Sequence, residues 1–305
     1  MGPPQKAPGY LADLRGVFRN WSRHRDATHA AALAFYTLVS LAPTLALLLH
    51  LLAGIFGEQA VQQRITREFQ LLMGADAAEV VEGVLASAAR PDLDVPQTLL
   101  WISALLFGAT IAFAQLQDSL NIVWEVEPRP GTWIRFLVRK RLLSFGMVLV
   151  VGLLLLVSLV ASAVIATLYE ALEERYRIPG DTLRVANFWI SLVLIALLFA
   201  LVFRILPDAE LGWREVVFAA IVTSLLFAAG KWAIGLYLAQ RDMASAYGAA
   251  GSLVVFLLWL YYSSLILLFG AELSRVHSRR FRSRPVLPAP GARRTDDAEP
   301  PGGGK

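Results

Sequence analysis

Long apolar runs separated by short charged segments dominate the chain. Between Asp26 and Glu58 lie 31 uncharged residues, between Asp94 and Asp118 there are 23, and between Arg141 and Glu170 there are 28. Arg184 to Arg204 encloses 19, Asp242 to Glu272 encloses 29, and a run of 25 from Glu215 to Arg241 is broken only by Lys231. A helix crossing a ~30 Å hydrocarbon core needs about 20 apolar residues. The pattern therefore predicts six spans within a membrane domain at 28–274, at about 28–56, 97–124, 142–168, 186–206, 215–240 and 250–273. The first run is too long for a signal-peptide core and reads as an uncleaved signal anchor. Pro43 within it predicts a kink or a local break. The fold class is all-α and polytopic.

Shorter periodic segments flank the spans. In an arm at 1–27, Tyr10, Leu11, Leu14, Val17, Phe18 and Trp21 recur at helical spacing among Arg15, Arg19, Arg23 and Arg25. That predicts a basic amphipathic helix lying on the membrane surface. The loop after the first span carries two amphipathic stretches, Val61, Ile65, Phe69, Leu72 and then Val80, Val81, Val84, Leu85. They predict an external helical hairpin over 58–90. The end of the chain, 275–305, is basic and then rich in Pro, Gly and charge, which predicts a disordered tail.

Composition supports this reading. Of 305 residues, 56% are hydrophobic and 17% charged, below the roughly 25% charged of a soluble domain. Mean hydropathy is +0.56. The chain has no Cys, which excludes disulfides, thiolate metal sites and cysteine nucleophiles. Lys and Arg number 20 on the side of both termini and 8 on the other. The asymmetry predicts that both termini are cytoplasmic. Trp101, Trp124, Trp189 and Trp213 fall at predicted span ends, as an aromatic belt requires.

Polar groups at membrane depth are costly and are functional candidates by default. Lys231 lies ~24 Å along the fifth span from Glu215, at a depth similar to His50 in the first. Together they suit an anionic headgroup or solute. The competing reading is that Lys231 snorkels beside Trp232 and that His50 is a satisfied interhelical donor. Nearer the cytoplasmic ends, Gln115, Asp118 and Asn121 share one arc of the second span, with Glu272 ending the sixth and Arg141 opening the third. These residues fit either an ion-pair gate or static ties between helices. Tyr247, Gly248 and Gly251 lie in a small-residue stretch before the last span. That stretch permits tight packing or an unwound segment that exposes backbone to substrate.

Signatures of catalysis are absent from the sequence. His24, His29, His50 and His277 make no H-E-x-x-H or other clustered ligand set, and there is no Walker loop or G-x-S-x-G. The chain is therefore read as a non-enzyme, without cofactor or metal. The basic arms lack the interleaved aromatics of a nucleic-acid face, so the bilayer or an anionic lipid is the predicted partner, and homo-oligomers are compatible.

Ala31-Ala32-Leu33-Ala34-Phe35-Tyr36-Thr37-Leu38-Val39-Ser40-Leu41-Ala42-Pro43 resembles the opening helix of the YihY/BrkB family of bacterial inner-membrane proteins. Leu120-Asn121-Ile122-Val123-Trp124, Tyr247-Gly248-Ala249-Ala250-Gly251-Ser252, Leu258-Trp259-Leu260-Tyr261 and Gly270-Ala271-Glu272-Leu273 extend the resemblance over about 10–280. It implies a six-span protein of a family labelled virulence factor and ribonuclease BN, with transfer of lipid or envelope components suspected. Metal-dependent phosphodiester hydrolysis needs clustered His, Asp and Glu ligands, and no such cluster is visible in the short cytoplasmic loops. The reading that follows is a transporter, exporter or flippase for an anionic or amphipathic envelope compound. Lys231 and His50 would meet its charge, with Asp118, Asn121 and Glu272 as the gate. The alternative is a non-transporting scaffold that recruits partners through the hairpin.

Overall fold

A computed structural model describes residues 10–73, 75–88, 95–128, 146, 181–240, 251–281, 287–289 and 292–295. Apart from Gly146, the predicted third span at 142–168 lies outside the described residues, as do Arg141, Tyr247 and Gly248. The helices are α1 (Tyr10–His24), α2 (Asp26–Phe56), α3 (Glu58–Met73), α4 (Ala75–Ala88), α5 (Val95–Trp124), α6 (Asp181–Ile205), α7 (Trp213–Gln240) and α8 (Gly251–Phe281). Two short strands, β1 (Val126–Pro128) and β2 (Ala292–Arg294), pair antiparallel with Glu127 opposite Arg293.

Among the described residues, four stretches are long and apolar enough to cross a membrane: Asp26–Gly54, Phe188–Ile205, Trp213–Ala233 and Leu253–Arg279. Their outer faces carry large apolar side chains, including Phe35 and Val39, Phe188 and Val193, and Ile221 and Leu225. Such surface suits lipid and would be a liability in water.

Two apolar cores hold the helices together. One joins α2, α5, α6, α7 and α8 through Leu33, Leu120, Phe203, Ala219 and Leu268. Within it, Phe227 meets Phe199 and Trp259 edge-on, at centroid distances of 5.9 and 5.1 Å. The second core packs α3 and α4 on α2 and α8 through Leu45, Ile65, Val81, Leu85 and Phe256. Gly57 makes the corner between α2 and α3. Its φ of 82° suits glycine, and its N–H donates to the Ala53 carbonyl at 2.9 Å.

Pro43 does not break the first span, since α2 runs unbroken from Asp26 to Phe56. Helix α5 packs directly against this proline. It lays Gly108 so close to the proline ring that a Cβ there would stand 2.7 Å from Cγ and 2.9 Å from Cβ of Pro43. The glycine admits the ring, and α2 and α5 make the most extensive helix pair of the described residues.

Two sequence expectations are corrected here. The basic N-terminal helix does not simply rest on the membrane surface. Its Val17 and Asn20 are buried, Gly16 faces Val276, and Phe18 and Trp21 both meet Phe269 of α8. Helix α8 runs beyond the predicted span, to Phe281. The tail is ordered at 292–294, where Arg293 Nε donates to Glu127 Oε1 at 2.8 Å, and again where Ala209 bridges Pro288. The fold is thus helical with a small two-stranded ribbon.

Gly108→Ala is expected to lower stability by about 1–3 kcal/mol, because a methyl group has to displace the stiff Pro43 ring. Gly54→Ala, where nothing lies within 4 Å, serves as the neutral control. Thermal unfolding of both variants in one detergent checks this, and equal unfolding temperatures would refute it.

Candidate functional site

The backbone break between α1 and α2 builds the site. Two residues apart on one helix, side chains point in nearly opposite directions. Arg25 stands between His24 and Asp26 with φ 53° and ψ 42°, the left-handed region that a non-glycine residue adopts at a cost of about 1–2 kcal/mol. This turn lets His24, ending α1, and Asp26, opening α2, face the same point. Glu272 of α8 reaches that point from the other side. A ligand atom from each of the three side chains lies within 4.8 Å of the others.

All three groups are shielded from solvent. The Glu272 side chain is 0% exposed and that of His24 7%, while Asp26 is 1% exposed. His24 Nδ1 lies 2.5 Å from Glu272 Oε1, and Asn20 Nδ2 donates to Glu272 Oε2 at 3.1 Å. Neither carboxylate oxygen of Asp26 has a hydrogen-bond partner.

Arg275 lies one helical turn beyond Glu272 and joins the site to α5. Its Nη1 donates to the Val123 carbonyl at 2.6 Å and stands 3.3 Å from His24 Nε2, while Nη2 pairs with Glu125. Glu125 also has φ 53°, which turns the end of α5 back toward the cluster. Arg23, His24 and Arg279 approach the same carboxylate at 3.5, 3.5 and 3.6 Å. Burial pushes the Glu125 carboxyl up. The hydrogen bond and charge of Arg275, with the charges of Arg279 and Arg23, outweigh burial and hold it below the ordinary carboxylate range.

A second buried network lies further back along α5. Asn121 Nδ2 and Gln117 Nε2 both donate to Asp208 Oδ2, at 2.9 and 3.1 Å, and the Asp208 backbone N–H returns a bond to Asn121 Oδ1 at 2.8 Å. This network fixes the turn between α6 and α7. The turn ends in a capping arrangement, with Glu215 Oε2 accepting from the Gly212 N–H at 3.1 Å.

The structure thus divides the predicted gate. Glu272 belongs to the His24 cluster, Asn121 belongs to the Asp208 network, and Asp118 is exposed. Gln115, half-buried, donates to Ser119 Oγ of its own helix at 3.4 Å. Gly251 is buried at the start of α8. Lys231 is exposed and lies within electrostatic reach of Glu68 on α3. His50 is exposed and places Nδ1 2.7 Å from the Ala46 carbonyl one turn back.

Sequence spacing shows no clustered His/Asp/Glu set, yet the fold brings three such side chains together. His24 and Asp26 meet a residue about 250 positions away, a distance that no local motif spans. Asn20, His24, Asp26, Glu125, Gln117, Asp208 and Arg275 were not predicted as site residues. Arg275 three residues after Glu272, on the same helix face, was the legible signal.

The family profile described as Virulence factor BrkB matches residues 17–294. Among similar proteins, a UPF0761 membrane protein of Rhodospirillum centenum is 30% identical over 284 residues, covering 90% of this chain and 60% of that protein. One from Vibrio vulnificus is 24% identical over 294 residues, covering 93% and 88%. One from Pseudomonas paraeruginosa is 30% identical over 291 residues, covering 88% and 66%. The chain therefore spans less than two thirds of the length of several relatives. No solved structure matches it.

The depressed Glu125 carboxyl has a pH signature. A carboxylate held low stabilises the fold above its ordinary range, near 4.3, and that contribution disappears as pH falls through the depressed value. Glu125→Gln is expected to unfold at a lower temperature than the wild type at neutral pH, with the gap closing on acidification below pH ~4. Thermal unfolding of both proteins across a pH series measures the gap. A gap independent of pH would contradict the assignment.

Proposed function

Since the chain belongs to the BrkB family of membrane proteins, we propose that it moves an anionic or amphipathic cell-envelope compound across the bacterial inner membrane, as a transporter, exporter or flippase. The reading takes both termini as cytoplasmic, from the excess of Lys and Arg on that side. One observation carries it, the buried charge cluster that ties α1, α5 and α8 through Glu272, His24, Arg275 and Glu125.

Apolar side chains of similar volume would join these helices at least as stably as buried ion pairs do. A charge cluster has a property that an apolar contact lacks, since its pairs can be exchanged for others or for a ligand's charge. In this reading the cluster is the inner gate, and separating His24 from Glu272 and Arg275 from Glu125 opens it. Lys231, exposed on α7, is the group offered to the anionic part of the substrate, with His50 as its companion. Nuclease activity is disfavoured by burial, because side chains 0–7% exposed offer no path to a phosphodiester.

Proteoliposomes holding a fluorescent anionic phospholipid test the proposal through accessibility of inner-leaflet probe to a membrane-impermeant quencher. Wild-type protein is expected to speed transbilayer exchange. Glu272→Gln is expected to slow it by about ten-fold, the factor carried by ~1.4 kcal/mol on a barrier. Lys231→Ala is expected to weaken the preference for anionic over zwitterionic lipid. Exchange equal to that of protein-free vesicles would sink the lipid-moving reading and favour the scaffold, whose function would depend on residues 57–97 instead.

A further inference from the structure

We propose that His24, Asp26 and Glu272 bind one divalent first-row transition-metal cation of the Zn²⁺ or Mn²⁺ class. The assignment goes beyond the transport reading and rests on the geometry of the trio alone.

Charge is the first argument. Arg275 bonds Glu125 and the Val123 carbonyl rather than either carboxylate of the trio, so no side-chain cation bonds Asp26 directly. Asp26 and Glu272 then face each other as two buried carboxylates with one imidazole between them and the protein interior. A divalent cation brings the pair to neutrality, whereas two bare carboxylates at such burial repel.

Asp26 is the second, independent argument. It is 1% exposed, both its oxygens are without a hydrogen bond, and it points into the trio. Buried polar atoms in folded proteins almost always have a partner, and an orphaned carboxylate beside two other ligand atoms marks the position of a missing one. The left-handed Arg25 that aims both His24 and Asp26 inward is backbone strain retained at this same point.

The donor set fits the metal class. One imidazole nitrogen and two carboxylate oxygens suit borderline cations, which bind such ligands at about 2.0–2.2 Å. Two ligands on one such ion stand at most ~4.3 Å apart. The trio lies within 4.8 Å, and on loading the directly bonded His24 Nδ1–Glu272 Oε1 pair, 2.5 Å apart, opens to admit the cation while Asp26 closes on it. The surroundings fit as well. With Nδ1 on the cation, His24 Nε2 faces both Glu125 Oε1, 3.5 Å away, and Arg275 Nη1, 3.3 Å away, and the carboxylate is the partner that would orient the ring. Asn20 holds the far oxygen of Glu272. The low exposure of all three ligands shields the site from bulk solvent, and a cation there would pin α1 and α2 to α8.

The test uses the full chain in nanodiscs, stripped with chelator, reloaded with Zn²⁺ or Mn²⁺, and separated from free metal by gel filtration. Elemental mass spectrometry is expected to find about one cation per wild-type chain. Asp26→Asn removes charge without breaking a hydrogen bond and is expected to weaken binding ten-fold or more, while Glu82→Gln, at an exposed acid of α4, binds as the wild type does. Pulsed electron paramagnetic resonance of Mn²⁺-loaded wild type supplies a readout that needs no variant, with imidazole nitrogen coupling expected. No retained metal, unchanged affinity in Asp26→Asn, or absence of nitrogen coupling would each overturn the proposal. None of these readouts requires transport.

Discussion

A charge inside an apolar helical protein must meet an opposite charge or a donor, because neither lipid nor packed side chains can solvate it. That requirement is concentrated at Arg275. Its guanidinium is 4% exposed and satisfies Glu125, touches His24 and takes up the Val123 carbonyl at the frayed end of α5. One side chain thereby fixes where α1 ends, where α5 stops and how α8 lies between them. Glu272, one turn away, repeats the pattern toward Asn20 and His24. A planar fork with five fixed donors can meet several acceptors at once, which a lysine at the same position could not reproduce.

Packing elsewhere is organised around this constraint. The Asp208 network holds the α6–α7 turn against α5, so that α5 is tied by polar groups along one face of its final turns. Toward its other end the same helix meets α2 in close packing, through Gly108 against Pro43. Polar ties give direction and registry, whereas apolar contacts give closeness. Helix α5 uses each at a different level. The paired strands β1 and β2 then cover the turn after α5, with Thr295 donating to the Glu125 carbonyl at 3.0 Å.

Much of this architecture was legible in the sequence because its cause is local. Runs of uncharged residues, the amphipathic spacing of 58–90 and the periodicity of Tyr10 to Trp21 each reflect an energy settled within one helix. Glu272 and Asn121 were visible as candidates for the same reason, being polar residues at the edges of apolar runs. Their division between two networks was not visible, since it depends on which helices become neighbours. His24 and Asp26 were passed over as flanking residues of a span, because periodicity places them on opposite faces. A left-handed residue at Arg25, which its identity does not announce, brings them together. Pro43 shows the reverse case: propensity predicts damage, and the glycine on α5 that accommodates the ring is 65 positions away. The strands of the tail were hidden by a composition rich in Pro, Gly and charge, which describes the free segment and not its partner β1.

The separation in sequence of the cluster's members also sets an order in time. Asn20 and His24 are bonded to a residue 252 and 248 positions later, and the Val123 carbonyl waits 152 residues for Arg275. At a synthesis rate of about 5–20 residues per second, roughly 12–50 s pass between the appearance of His24 and that of Glu272. The newborn chain makes the intervening helices during that interval, and until α8 emerges its Asn20 and His24 lack the Glu272 carboxylate that bonds them. Its last described helix arrives as a keystone, closing an arch whose other stones were set long before.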